Sequence, residues 1–348
     1  MRRGLRRAFL AAGGLAGALG AGEIAVRLAG DPRAVLREEV RRLSPVYGRL
    51  LEGGLLRRHP DPERRFALSP GYEGEADGKR YRVNALGLRG AEVSREKPRG
   101  ITRALLLGDS FVFGLGVGEG ETIAVRLEEE LRARRPGLEV LNLGVPGYHT
   151  GQEVAFLRSE GLSLAPDAVV LVFYTNDITT EGFHYDDRTR CLYNDLLPLP
   201  YAWKGRLIRS ALYASLVRAR ADALRERLQA GGDRDWPVTR ERLDAWWTTL
   251  RDAGIPGLLV NLPFLTWTSD LRNPEWEWHR PYRKLEAWAE ERGVPCLGLL
   301  EALAADYVEK LYVRADVRQP DRVDNHFNAE GCARLAREIA RALEPLLP

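Results

Sequence analysis

From residue 103 onward the chain alternates between short apolar runs and segments whose apolar residues recur at helical spacing. RALLLGDS (103–110), LEVLNLGVPG (138–147) and DAVVLVFYTND (167–177) are the first runs, and the helical patterns TIAVRLEEELRAR and GQEVAFLRSEGL follow the first two. IPGLLVNLPF (255–264) and GVPCLGL (293–299) come after TRERLDAWWTTLRDAG and YRKLEAWAEERG, and NAEGCARLAREIARALEPLL closes the pattern. Strands apolar on both faces must be covered on both, and interleaved helices supply that cover. The expectation is an α/β chain on a central, mainly parallel five-stranded sheet. The rhythm stops at about 178–236, where Phe183, Tyr185, Tyr193 and LPLPYAW precede an arginine-rich helical piece. That stretch reads as an insertion over the carboxyl edge of the sheet, either a substrate-binding cap or a structural decoration.

Functional groups in an open parallel sheet collect where its strands end. The first three strands end in Gly108-Asp109-Ser110, in the run Asn142 to Thr150 containing Gly144, Gly147 and His149, and in Tyr174-Thr-Asn176-Asp177. DRVDNHFNAEG, far downstream, puts His326 just before the last helix. A serine hydroxyl is a weak nucleophile until a neighbouring base takes its proton, so His326 is the candidate base for Ser110. Asp324, two residues earlier, is placed to hold the other ring nitrogen. An oxyanion needs preorganised donors, and the backbone N–H groups of Ser110 and Gly147 and the side-chain amide of Asn176 fit that need. Gly147 has no Cβ to obstruct a substrate. Asp109 reads as a loop hydrogen-bonding residue, Gly144 as a packing glycine, Asp177 as a local cap and Asn328 as the cap of the last helix. His149 either lines the pocket or starts a helix facing solvent, and His184 in the insertion is a candidate substrate contact.

These residues resemble the four sequence blocks of the SGNH or GDSL-type serine hydrolases: Gly108-Asp109-Ser110-Phe111, Gly147, Asn176 in YTND and His326 in DNHFN. The resemblance covers roughly residues 100–345. It implies a three-layer α/β/α, flavodoxin-like fold and ester hydrolysis through Ser110, with no metal or organic cofactor. YRVNALGLRG (81–90) resembles the lead-in of membrane-anchored bacterial members. The family places its acid three residues before the histidine, where this chain has Val323. Asp324 is the preferred acid, with Asp321, five before, as the alternative.

Four arginines precede the apolar run Ala8 to Gly22, the layout of a secretory signal or signal anchor whose basic end stays in the cytoplasm. That run of 15 residues falls short of the ~20 needed to span a bilayer unless residues 24–29 join it. The expected organisation is a leader (1–30), a juxtamembrane lead-in (31–100) and a hydrolase domain (101–348). A formal charge of +3 spread over helical segments gives no nucleic-acid footprint. Cys191, Cys296 and Cys332 lack metal or disulfide spacing. WTSDLRNPEWEWHRPY (267–282), with three tryptophans and His279, fits a sugar-stacking platform or packing at the sheet edge. The functional expectation is an exported, membrane-tethered serine esterase on the periplasmic side, acting on an acyl ester of the cell envelope such as an O-acetyl glycan. The alternatives are an O-acyltransferase acting on envelope glycans and a non-catalytic glycan-binding or assembly module.

Overall fold

A computed structural model of the protein describes residues 2–30, 32, 34, 37, 44–178, 182–194, 197–229, 235–262, 280–304, 312–314 and 324–348. The chain opens with α1 (Arg2–Ala29) and α2 (Pro45–Gly53), followed by two hairpins, β1 (Leu56–Arg58) with β2 (Phe66–Leu68) and β3 (Glu73–Ala76) with β4 (Lys79–Arg82). The alternating part follows as β5 (Thr102–Gly108), α3 (Ser110–Phe113), α4 (Ile123–Arg132), β6 (Leu138–Gly144), α5 (Thr150–Ser159) and β7 (Ala168–Phe173). The insertion holds the hairpin β8 (Phe183–Asp186) and β9 (Cys191–Asn194) and the helices α6 (Tyr201–Leu207) and α7 (Ala211–Gln229). The alternation resumes with α8 (Trp236–Ala253), β10 (Gly257–Asn261), α9 (Arg280–Arg292), β11 (Cys296–Gly298) and α10 (Leu300–Ala304). It ends with β12 (Tyr312–Arg314), β13 (Asp324–Phe327) and α11 (Ala329–Leu343).

Five strands in the order β11-β10-β7-β5-β6 form the central sheet, and every pairing in it is parallel. The side-chain period of two divides each strand between two layers. Leu105, Leu107, Val169, Leu171 and Leu259 join one core, with Leu243, Trp246 and Leu250 of α8 and Leu285 and Trp288 of α9. Ala104, Leu106, Val170, Val172 and Val260 join the other, with Leu127 and Leu131 of α4 and Leu335, Ile339 and Leu343 of α11. This is the three-layer α/β/α architecture that the resemblance implies, and it follows from strands that are apolar on both faces.

The lead-in is more ordered than its charge and irregularity foretell. Leu50, Leu55, Phe66, Tyr81, Val83 and Leu88 are buried in the first core alongside strand residues of the sheet. Arg89 bridges antiparallel to Asn142, so the segment after β4 lies along the outer edge of β6. Ser44 caps α2 by accepting the Tyr47 N–H, and Tyr47 in turn donates its hydroxyl to the Pro146 carbonyl at 3.0 Å, one residue before Gly147.

Among the described residues no helix is long and apolar enough to cross a membrane. The segment expected as a leader is α1, a 28-residue helix, and the expectation of an anchor finds no support in its length and apolarity. The tryptophans and His279 of the 267–279 run lie outside the described residues, as does Asp321. Cys296 and Cys332 are free thiols, and nothing is described of the Cys191 side chain.

Candidate active site

β5 ends at Gly108, and the chain turns at once into α3, a single helical turn that begins with Ser110. Asp109 makes that turn: its Oδ1 accepts the Phe111 N–H at 2.9 Å and so caps α3. α3 lies against the end of β6, where Gly144 leaves no room for a side chain. A Cβ there would collide with the backbone of Val112 and Phe113. Asn142 holds the same contact from the neighbouring position, donating its amide to the Val112 carbonyl at 2.7 Å. The packing role read for Gly144 and the loop role read for Asp109 both describe what these residues do.

β13 brings His326 to the serine across 216 positions of sequence, with Nε2 at 2.7 Å from the Ser110 oxygen. The Phe111 ring lies against the imidazole at 5.1 Å between centroids and also contacts Phe327 and Tyr174. One apolar ring, backed by two others, therefore lies against the histidine. Two residues on, Asn328 accepts the Gly331 N–H at 2.9 Å and starts α11, so the histidine is fixed between a strand and a capped helix. Asp324 is in β13 with its backbone paired to Arg314, and its side chain lies outside what is described.

Asn176 sits in a short 3₁₀ turn after β7, exposed, and donates its amide to Asp109 Oδ2 at 2.8 Å. It thus reaches the site through Asp109, while an amide's second N–H stays available to another acceptor. Asp177 acts as the expected local cap, its Oδ2 accepting the Tyr174 N–H at 2.9 Å. Gly147 follows the β6 strand end with φ of 86°, in the left-handed region. A Cβ on it would meet Phe183 at 3.3 Å and Leu192 at 3.4 Å, so the insertion hairpin covers this turn.

Burial dominates the electrostatics. It raises the carboxyl pKa of Asp109, against which the Phe111 N–H, the Asn176 amide and the nearby His326 all act. Asp177 is pushed well above the carboxylate range by burial and then by Asp109. Glu153 of α5 is pushed up in the same way by burial, then Asp177, then Asp109. Sequence reasoning missed Glu153, although a glutamate inside GQEVAFL, among residues that read as a buried helix face, was a signal.

The two other histidines have structural places. His149 caps α5 by accepting the Gly151 and Gln152 N–H groups, is buried rather than solvent-facing, and is held neutral by that burial. His184 stacks between Tyr193 and Tyr201 inside the insertion, where burial lowers its pKa to about 2. A cavity of about 410 Å³ between residues 84–94 and α4 is lined by neither Ser110 nor His326.

The sequence profile of the GDSL-like lipase/acylhydrolase family matches residues 106–334. No curated protein matches the chain. Among solved structures, the lipase/acylhydrolase from Enterococcus faecalis is similar at 17% identity and a TM-score of 0.42, over 71% of this chain and 98% of that one. A catalytic mutant of an acetylxylan esterase from Geobacillus stearothermophilus is similar at 18% identity and a TM-score of 0.44, over 71% of this chain and 96% of that one.

Proposed function

Because the chain belongs to the GDSL-like lipase/acylhydrolase family, it is a hydrolase of carboxylic esters, and we propose that Ser110 is its nucleophile and His326 the base that activates it. The observation that carries this reading is the 2.7 Å contact between His326 Nε2 and the Ser110 oxygen. As Ser110 attacks the ester carbonyl, its proton passes to Nε2 and the carbonyl oxygen becomes an oxyanion. The N–H groups of Ser110 and Gly147 and the free N–H of the Asn176 amide receive that charge. Collapse expels the alcohol, which takes the proton back from His326, and leaves the acyl group on Ser110. Water activated by the same imidazole then releases the acid. Asp324 is assigned to the Nδ1 side of the ring, with Asp321 as its alternative.

The substrate in this reading is an acyl ester of the cell envelope, with O-acetyl groups on glycans the first class to try. The enzyme is placed on the periplasmic side of the membrane with α1 retained as its attachment. Four N-terminal arginines followed by an apolar run support that placement, as does the exposure of every residue from Ala12 to Ala21. Fluorophosphonate labelling tests the nucleophile: wild-type protein should be labelled and Ser110→Ala should not. Absence of labelling in folded wild-type protein would overturn the assignment. Acetate release from p-nitrophenyl acetate, measured with and without O-deacetylated glycan, tests the acceptor. Turnover that appears only with glycan present would make the chain an acyltransferase.

A further inference from the structure

Val323 occupies the position of the family's acid and Asp324 stands one place off it, so negative charge elsewhere in the site bears on an imidazolium at His326. Three carboxyl groups have no part in the steps above: Asp109, next to Ser110, and its neighbours Asp177 and Glu153. Asp109 is 1% exposed, and Asp177 and Glu153 are fully buried. Neighbouring carboxyls in a dry site cannot all ionise, because each charge raises the cost of the next. Hydrogen-bond donors decide which one holds the charge. Asp109 receives the Phe111 N–H on Oδ1 and the Asn176 amide on Oδ2. Asp177 receives the Tyr174 N–H on Oδ2 and a smaller contribution from the Thr150 N–H, which burial and the Asp109 charge outweigh, and neither oxygen of Glu153 has a partner among the described residues. Asp109 is therefore the ionised member, and Asp177 and Glu153 keep their protons.

Other groups face the cluster as well. His326 of β13 favours the charge on Asp109. Arg242 of α8 favours a charge on Asp177, but burial and the neighbouring Asp109 outweigh it. Tyr47 of α2 is buried near Asp109 and keeps its proton, which it donates to the Pro146 carbonyl. His149 of α5 is neutral.

We propose that Asp109 is a positioning residue for both halves of the site: its carboxylate fixes which way the Asn176 amide points, and its buried charge stabilises the His326 imidazolium as Ser110 gives up its proton. A carboxylate only accepts hydrogen bonds, so it selects the NH₂ end of Asn176 and leaves one N–H for the oxyanion. The same charge makes His326 a stronger base, working alongside whatever acid meets Nδ1. This inference rests on the roles given above to Ser110, His326 and Asn176.

The test is the pH profile of kcat/KM for p-nitrophenyl acetate, whose acid limb reports the free-enzyme histidine. Asp109→Asn removes the charge at nearly constant shape. It is expected to lower kcat/KM by roughly 10- to 100-fold and to move the limb to lower pH by about one unit, since an imidazolium without a nearby anion loses its proton sooner. A residue that served only folding would lower the urea midpoint and leave the limb in place. Glu153→Gln exchanges one neutral group for another and should not move the limb. An Asp109→Asn limb that coincides with wild type or moves to higher pH overturns the proposal, as does a limb moved equally far by Glu153→Gln. If Asp109→Asn does not fold, Asn176→Ala serves at an exposed position: it strips one donor from Asp109 and should move the limb the same way, and an unmoved limb overturns the proposal. Labelling of wild-type Ser110 is scored separately, so the nucleophile assignment and the role of Asp109 fail independently.

Discussion

Ser110 is reactive only through its neighbours, so substitutions around it should separate chemistry from folding. Ser110→Ala should abolish hydrolysis, a loss of at least about 10⁴-fold, with the thermal midpoint little changed because the serine side chain supports no core packing. Gly147 is a harsher position. With φ of 86° and the Phe183 and Leu192 side chains within 3.4 Å of where a Cβ would lie, Gly147→Ala must shift the turn that carries an oxyanion donor. A fall of roughly 10²-fold in kcat is expected, with a much smaller change in KM, and steady-state kinetics will show which parameter moves. Glu153 gives a stability test whose sign follows from its raised pKa. The folded protein binds the Glu153 proton more tightly than the unfolded chain, so this group's contribution to stability is full below its ordinary value of 4.5 and is lost as pH rises towards the folded value. Glu153→Gln has no proton to lose. Its urea midpoint relative to wild type should therefore rise steadily from pH 4 to pH 8, and a difference independent of pH would contradict the raised value.

The elements differ in how much they advertise themselves in sequence. β7 is an unbroken apolar run, β5, β6 and β10 are mostly apolar, and α11 repeats its apolar residues at helical spacing, so both patterns are legible without coordinates. The lead-in is not. Its strands are three or four residues long, too short to establish a period, and it buries Arg64 and Arg89, whose charges read as surface. Arg89 is accommodated by stacking over Tyr81 at 4.3 Å and Phe113 at 4.8 Å, a tertiary contact with no local signature. The site divides in the same way. Ser110 and His326 stand out because their chemistry and order are distinctive, whereas the bond from Asn176 to Asp109 joins two loops 67 residues apart and follows no period. The lead-in's burial leads to a truncation test. Removing Leu50, Leu55, Phe66, Tyr81, Val83 and Leu88 from the first core forfeits about 2 kcal/mol each, roughly 12 kcal/mol together, which is comparable with the whole stability of a domain. A chain starting at residue 44 should melt cooperatively and hydrolyse p-nitrophenyl acetate. One starting at residue 100 should aggregate or lose its cooperative transition, as read by circular dichroism and gel filtration.

At the scale of the whole molecule, α1 is tied to the start of α7. The Glu23 carboxylate of α1 accepts from the Ser210 hydroxyl and from the Ala211 and Leu212 N–H groups, so it caps the first turn of α7 across 187 positions or more. Those bonds hold the Glu23 pKa down to about 2, so the clamp persists at any physiological pH. The large hydrophobic side chains exposed among the described residues gather on α1 and the insertion helices: Leu15, Leu19, Ile24 and Leu28 on α1, Trp203 on α6 and Leu216 on α7. Leu15 and Ile24 are nine residues apart, as are Leu19 and Leu28, which at 3.6 residues per turn is about two and a half turns. Leu15 and Leu19 therefore point to one side of α1 and Ile24 and Leu28 to the other. A protein partner docked on one face would leave the other in water, whereas lipid would cover both, and the arginines at the start of α1 suit anionic headgroups. The attachment proposed above then predicts that the full chain sediments with vesicles containing phosphatidylglycerol and stays bound in high salt, because apolar burial is not screened. Deleting residues 2–20 should release it, Trp203→Ser with Leu216→Ser should weaken retention, and neither change should alter hydrolysis of a soluble ester. A full-length chain that remains in the supernatant with such vesicles would remove α1 as the attachment and leave the esterase assignment untouched.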